Sequence, residues 1–398
     1  MTSPPSLGHP VYRDMPTTIF EHMSARARET GAINLGQGFP DAPGPTDLLN
    51  MAADALLTRS SQYPPMAGVP ELRAAVADHY ARHQGLSLTP AEVIITSGAT
   101  EAIAASLLAL VQPGDEVLVL APLYDAYLPL IARAGGVARI VRLTPPHWRI
   151  TRAALEQAAG PRTRFLLMNN PVNPSGIVLR EEELAQLALF CVDRDLIAIC
   201  DEVWEHLTYD GVRHHALMAL PGMRERTVKI GSAGKIFSLT GWKVGWMCAA
   251  PSLATLLGRA HQFLTFTTPP NLQWAVAQGL AKPENWFDTQ RAGYQASRDR
   301  LVTGMEAAGF VVLPSQATWF ICIDLAASGI AMTDTDFCAR IVDEAGVAAI
   351  PISAFYPDAS VTHLVRLCFS KADAVLDEAI ERLARFRAEA VAASGEAR

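Results

Sequence analysis

A chain of 398 residues, half of them hydrophobic and 18% charged, is long enough to bury one large or two medium cores and too apolar to remain disordered. The formal net charge of −7, with no run of Lys and Arg, excludes a strong electrostatic footprint for nucleic acid or for an anionic membrane surface. Small-molecule partners are expected instead. No run approaches the roughly 18 uninterrupted apolar residues of a membrane span, and Met1 to Pro10 has no apolar stretch behind a basic start, so no secretory signal is expected and the default setting is cytoplasmic. The six cysteines, at 191, 200, 248, 322, 338 and 368, have no C-x-x-C pairing and read as reduced core residues rather than metal ligands.

In chain order, residues 1–45 are Gly- and Pro-rich, too irregular for a core of their own, and are expected to pack across two domains. From about residue 69, helix-period stretches alternate with short apolar runs, the pattern of an α/β protein with a mainly parallel sheet. Strands are predicted at Val93–Thr96, Glu116–Leu120, Ala138–Leu143, Arg164–Met168, Leu196–Cys200, Thr227–Ile230 and Val244–Ala249. Helices are predicted at Glu71–His83, Thr100–Val111, Arg180–Asp193 and Leu253–Phe263, the third opening on Glu181–Glu183 where the helix dipole favours acids. Beyond about Pro283 a long helix, Trp286–Ala308, leads into strands near Phe310–Leu313 and Trp319–Asp324, and an extended segment, Leu364–Phe369, lies between two further helices. The expected division is an N-terminal segment (1–45), a large domain (46–283) and a smaller α+β domain (284–398).

The most informative stretch runs from Ile230-Gly231-Ser232-Ala233-Gly234-Lys235 to Thr240-Gly241-Trp242-Lys243-Val244-Gly245-Trp246. A lysine in an apolar, glycine-flanked strand-exit loop is costly to keep as an ammonium, so its pKa should fall toward the neutral amine that Schiff-base chemistry needs. A phosphate-binding P-loop requires Gly before the Lys at fixed spacing and Ser or Thr after it; Lys229 and Ile236 stand in those places. A surface lysine at a turn is the plain alternative from this segment alone.

Four other segments weigh against that alternative. The apolar strand before Asp201 ends in a carboxylate suited to pairing with a protonated ring nitrogen. Thr96-Ser97-Gly98-Ala99-Thr100 joins a strand to a helix start and offers N–H groups to a phosphate, although such turns are common. Asn169-Asn170-Pro171-Val172-Asn173-Pro174 is a stiff connection that either aims an amide or simply joins strand to helix. Arg366 sits inside the apolar run Leu364–Phe369, where it needs a carboxylate partner that a bound amino acid would supply.

Together these segments resemble the fold-type I, class I/II pyridoxal-phosphate-dependent aminotransferases. Asn34-Leu35-Gly36-Gln37-Gly38-Phe39-Pro40-Asp41 with Gly231 to Trp246 is most similar to the kynurenine, glutamine-K and methionine aminotransferase subgroup, and the likeness runs over nearly the whole chain. It implies pyridoxal 5'-phosphate bound as a Schiff base on Lys235, the catalytic residue, with Asp201 on the pyridine nitrogen, Asn173 on the phenolic oxygen and Tyr124 stacked on the ring. Ala99, Thr100, Ser232 and Lys243 would hold the phosphate, with Tyr63 arriving from the other subunit of a homodimer with shared active sites. Arg366 would clamp the substrate α-carboxylate, assisted by Gly38 and Asn173. The implied reaction is ping-pong transfer of an amino group from an L-amino acid to a 2-oxo acid.

Three further expectations follow. Trp204 stands where the subgroup usually has tyrosine; its indole can donate through Nε1 to the phenolic oxygen but cannot accept or ionise, or it simply packs behind the cofactor. Phe266 occupies the segment that carries a second arginine in dicarboxylate-specific relatives, and Phe20 adds apolar contact, so the substrate side chain should be large and uncharged. Rival readings are a cysteine-conjugate β-lyase on the same fold and a non-catalytic cofactor-binding regulator, which would need a DNA-binding domain. His214 and His215, without a third ligand at sensible spacing, are expected to be exposed loop residues, and no metal is expected.

Overall fold

The computed structural model describes residues 8–13 and 15–396; residues 1–7 and Asp14 of the expected N-terminal segment lie outside the described residues. Strand β1 (Ile33–Asn34) precedes the seven strands of the main sheet: β2 (Val93–Ser97), β3 (Glu116–Ala121), β4 (Val137–Arg142), β5 (Thr163–Asn169), β6 (Ile197–Asp201), β7 (Thr227–Ser232) and β8 (Val244–Cys248). All seven predicted strands are present. They lie in the order β2-β8-β7-β6-β5-β3-β4, parallel except for β8, which runs antiparallel to both β2 and β7. The inner strands are almost wholly buried, as continuous apolar runs covered on both faces by helices must be; the edge strand β4 is mostly half-exposed.

This topology gathers the chemistry-bearing loops. The last residues of the parallel strands β5, β6 and β7, namely Asn169, Asp201 and Ser232, emerge at one edge, and because β8 is reversed its first residue, Val244, pairs with Ser97 at that same edge. Such an edge, beyond the carboxyl ends of parallel strands, is where open α/β sheets bind ligands.

A second sheet is antiparallel, in the order β12 (Ile350–Pro351), β13 (Leu364–Cys368), β10 (Phe320–Asp324) and β9 (Val311–Leu313). Helices Glu284–Ala307 and Asp373–Glu396 pack against each other beside it. Arg366 lies at the centre of β13, opposite Ile350 on one side and Cys322 on the other.

The structure corrects three expectations. The N-terminal segment is not irregular throughout: Ile19–Thr30 is a helix, capped by the Thr18 hydroxyl and closed by Gly31 at φ 65°, and β1 pairs in parallel with β11 (Val347–Ala348). A short, largely polar helix with only Met23, Ser24 and Ala27 buried carries a weak periodic signal. Lys235 is not in a loop but in a single helical turn, Ala233–Ile236, directly after β7. His214 is not exposed: its side chain is 2% accessible and its Nε2 lies 3.3 Å from Glu202, whereas His215 meets Glu181 at the surface. Glu202, Glu205 and His214 bring possible ligand atoms within 4.8 Å of one another, but the Lys229 ammonium bonds both carboxylates and already supplies the cation there. All six cysteines are free and buried.

Candidate active site

A cavity of about 250 Å³ opens at the sheet edge, with Ala99, Thr100, Tyr124, Asn173, Asp201, Trp204, Ser232, Lys235 and Lys243 among its lining residues. A larger cleft of about 660 Å³ is lined by Arg82, His83, Glu205, His206 and Arg291 among others, and by no lysine among the described residues.

At the base of the cavity, Asp201 is buried and accepts a 2.6 Å bond from the Tyr127 hydroxyl on Oδ2, while Oδ1 faces the Val203 N–H at 3.4 Å. Burial raises its carboxyl to about 6, against the pull of the tyrosine and of Lys235. Asn169 ties the neighbouring strand end in place, donating to the Asp201 carbonyl at 2.9 Å and accepting from the Asn173 N–H at 2.8 Å. Tyr124 packs edge-on to Tyr127, with centroids 5.7 Å apart.

Lys235 is half-exposed by area because its side chain lines the cavity, but protein atoms encircle it. Desolvation brings its amine down to about 8, and no carboxylate lies within ion-pair distance of it among the described residues. Its Nζ rests over the rings of Trp204 and Trp319, 4.7 and 4.9 Å from their centroids. Trp204 thus turns a ring face, not an edge, toward the lysine.

At the far end, helix Gly98–Leu110 begins against β8. A Cβ on Gly245 would come within 2.8 Å of the Gly98 carbonyl carbon, and one on Gly98, at φ 72°, would meet the Lys243 amine at 3.1 Å. Only glycines permit the helix N-terminus, with its unpaired N–H groups, to sit beside Ser232 and Lys243.

Arg366 is buried and encased in aromatic rings, its guanidinium carbon 4.0 Å from the Phe320 centroid, 5.2 Å from Phe355 and 5.3 Å from Phe20. It donates to Asn173 Oδ1 at 2.9 Å and to the Gly36 carbonyl at 2.6 Å, its Nε has no partner among the described residues, and burial lowers it to about 10. Gly38, two residues on from Gly36, packs on Phe320, where a Cβ would come within 2.5 Å of the ring.

The cavity therefore brings together Ala99, Thr100, Tyr124, Asn173, Asp201, Trp204, Ser232, Lys235 and Lys243, and Phe20 reaches Arg366. Tyr63 and Phe266 are not brought in: they pack edge-on to each other, 5.6 Å between centroids, with Tyr63 84% exposed. Tyr127, Asn169, Trp319, Phe320 and Phe355 were not singled out from sequence. Tyr127, three residues after Tyr124, lay within reach of a motif reading; the others act through contacts that sequence spacing does not encode.

The family model described as aminotransferase class I and II matches residues 30–383. The chain belongs to the class I and II aminotransferases. It is 44% identical over 383 residues to a probable N-succinyldiaminopimelate aminotransferase of Mycobacterium tuberculosis, covering 93% of this chain and 96% of the relative. The solved structure of that kind of enzyme from the same organism superposes with a TM-score of 0.92 at 45% identity, over 95% of this chain and 100% of that one. A methionine aminotransferase of Escherichia coli is 38% identical (96% and 99% covered), and a kynurenine–oxoglutarate transaminase of Mus musculus 33% (91% and 94% covered). This aminotransferase is a pyridoxal-phosphate-dependent enzyme of the α/β fold-type I class, and the cavity fits that cofactor: an amine free of any carboxylate, a buried carboxylate and a glycine-walled helix start with a hydroxyl and a cation match an aldehyde, a ring nitrogen and a phosphate.

Proposed function

We propose that this aminotransferase takes the amino group from an L-amino acid with a large, uncharged side chain, such as methionine, glutamine, kynurenine or an aromatic residue, and passes it to a 2-oxo acid. The observation that carries this reading is Arg366, a guanidinium encased in rings, without a carboxylate partner among the described residues, and bonded to Asn173, which lines the cavity that holds Lys235. A buried cation so placed is stabilised by a carboxylate arriving with the ligand, and Asn173 fixes its fork.

The chain's own groups would divide the work as follows. Lys235, with an amine near pKa 8, joins the cofactor and, when released, moves the proton at the substrate α-carbon. Asp201, oriented by Tyr127, keeps the proton on the ring nitrogen; Asn173 and the Trp204 indole serve the phenolic oxygen; Tyr124 stacks on the ring. Ala99, Thr100, Ser232 and Lys243 hold the phosphate. When bound, the protonated pyridine ring supplies the electron sink for the pair left as the α-proton departs. Gly38 and Phe20 shape the carboxylate end.

The same proposal includes a homodimer, supported by Tyr63 and Phe266, which face outward together as residues completing a second copy's site would. It keeps the division into 1–45, 46–283 and 284–398, supported by the two sheets lying in separate stretches of chain. A cytoplasmic setting is supported by six buried free thiols. A second reading, a substrate like N-succinyldiaminopimelate with carboxylates far from the reacting carbon, is favoured by the 44% identity to that relative. The lyase reading gains no such support.

Steady-state rates with 2-oxoglutarate and a panel of amino donors test the proposal. A distal carboxylate near the ring wall is desolvated without a partner, so kcat/KM for aspartate is expected at least about tenfold below methionine and phenylalanine. Aspartate exceeding both would overturn the uncharged-side-chain reading, and N-succinyldiaminopimelate exceeding both would replace it with the second.

A further inference from the structure

Trp319 stands just ahead of β10 and is completely buried. The backbone that aims it is strained: Thr318, a β-branched residue, is held at φ 72°, a region such residues rarely enter without compensation. The compensation is visible. Thr318 N–H donates to the Leu207 carbonyl at 2.9 Å, its carbonyl accepts from the Tyr209 hydroxyl at 2.5 Å, and its own hydroxyl accepts from the Phe320 N–H at 3.2 Å. These contacts pin the turn to the segment that follows Trp204. The indole so placed meets Trp204 edge to face, 5.0 Å between centroids at 83°, and Tyr294 backs it at 5.7 Å. Its Nε1 has no hydrogen-bond partner among the described residues, so no bond of its own there explains the strained setting.

The Lys235 amine lies over both indoles at once, 4.7 and 4.9 Å from their centroids, inside the roughly 6 Å within which an indole face attracts an ammonium. The charged and titratable groups facing that amine are Asp201 from β6, Arg366 and Cys368 from β13, and Lys243 ahead of β8; two of these are cations, and none pairs with it. We propose that Trp319 is a positioning residue which, together with Trp204, holds the Lys235 ammonium against their two indole rings, set nearly at right angles, during the interval when the lysine is not joined to the cofactor. The proposal rests on the reading of Lys235 as the cofactor lysine. It gives the released amine a defined resting place where burial alone would leave the charge unfavoured, so that the proton it has taken is kept until it is returned.

The chain contains only five lysines, at 229, 235, 243, 282 and 371, so their ε-carbons are resolvable by NMR after isotope labelling. The holoenzyme loaded with the amino form of the cofactor, in which no lysine is joined to it, is titrated as wild type, Trp319→Leu and Trp319→Phe. Loss of the indole face is expected to lower the proton affinity of Lys235 by about three- to tenfold, half to one pH unit, with the Phe variant between. The basic limb of the kcat profile should move with it while KM stays close to wild type, since Trp319 is outside the carboxylate clamp. An unchanged or raised Lys235 midpoint in both variants would overturn the proposal and leave Trp319 as packing. Should Trp319→Leu fail to fold, Trp319→Phe alone decides by the same sign. In the aldehyde form of wild type, displacement of a signal other than Lys235 would sink the cofactor-lysine reading independently of the Trp319 result.

Discussion

Two lysines six residues apart, Lys229 in β7 and Lys235 in the helical turn after it, are both wrapped in protein, and their environments drive them in opposite directions. Lys229 is fully buried and bonds Glu202 and Glu205; burial opposes its charge, but the two carboxylates outweigh burial and hold it well above the ordinary lysine range. Around it runs a closed set of partners, with Glu205 accepting from the Tyr80 hydroxyl at 2.8 Å and Tyr80 from the Trp246 indole at 2.7 Å. Lys235 has indole faces and, among the described residues, no carboxylate within ion-pair distance, and falls to about 8. Burial alone does not make an amine reactive; burial without a paired acid does. One lysine is structural and the other is fit for chemistry because of what lies within bonding distance.

The largest expected effect is on activity. Lys235→Ala should lower kcat by roughly three orders of magnitude or more, since on the proposed reading a positioned proton carrier and the covalent tether are lost together. Lys229→Met should leave the chemistry of the folded fraction within a small factor of wild type. It should instead lower stability by about 3–5 kcal/mol, the cost of leaving buried carboxylates unpaired, measured by denaturant unfolding. A Lys229→Met protein as stable as wild type would break the contrast.

A smaller effect sharpens the same comparison. With its folded pKa near 8, below the ordinary 10.5, Lys235 destabilises the cofactor-free protein. The sign follows from proton binding: between these values the unfolded chain holds more protons, so stability rises with pH across that window, and the penalty is fully present below about 8. Lys235→Met should therefore raise the Tm of the cofactor-free protein at neutral pH, with the advantage shrinking as pH rises from 8 toward 10.5. A lowered Tm would show that the lysine is instead a structural support like Lys229.

What was legible in the sequence follows the same division between local pattern and cross-space pairing. The seven strands were readable because inner strands of a parallel sheet are unbroken apolar runs; Lys235, Asp201 and Arg366 stood out as candidates because a charge inside such a run needs a reason. The helix Ile19–Thr30 was missed because it buries only three residues. His214 and Lys229 gave no signal because the partners that bury them come from other loops and strands. Trp319 was invisible for a similar reason: the lysine it is proposed to hold follows a strand of the other sheet and is reached through a strained turn at Thr318.

The central claim is that Lys235, among the five lysines, carries the cofactor. Reduction of the holoenzyme with borohydride followed by peptide mapping tests it most directly. The account predicts the stable adduct on the peptide containing Lys235; an adduct on Lys243 or Lys229 with Lys235 unmodified would contradict it.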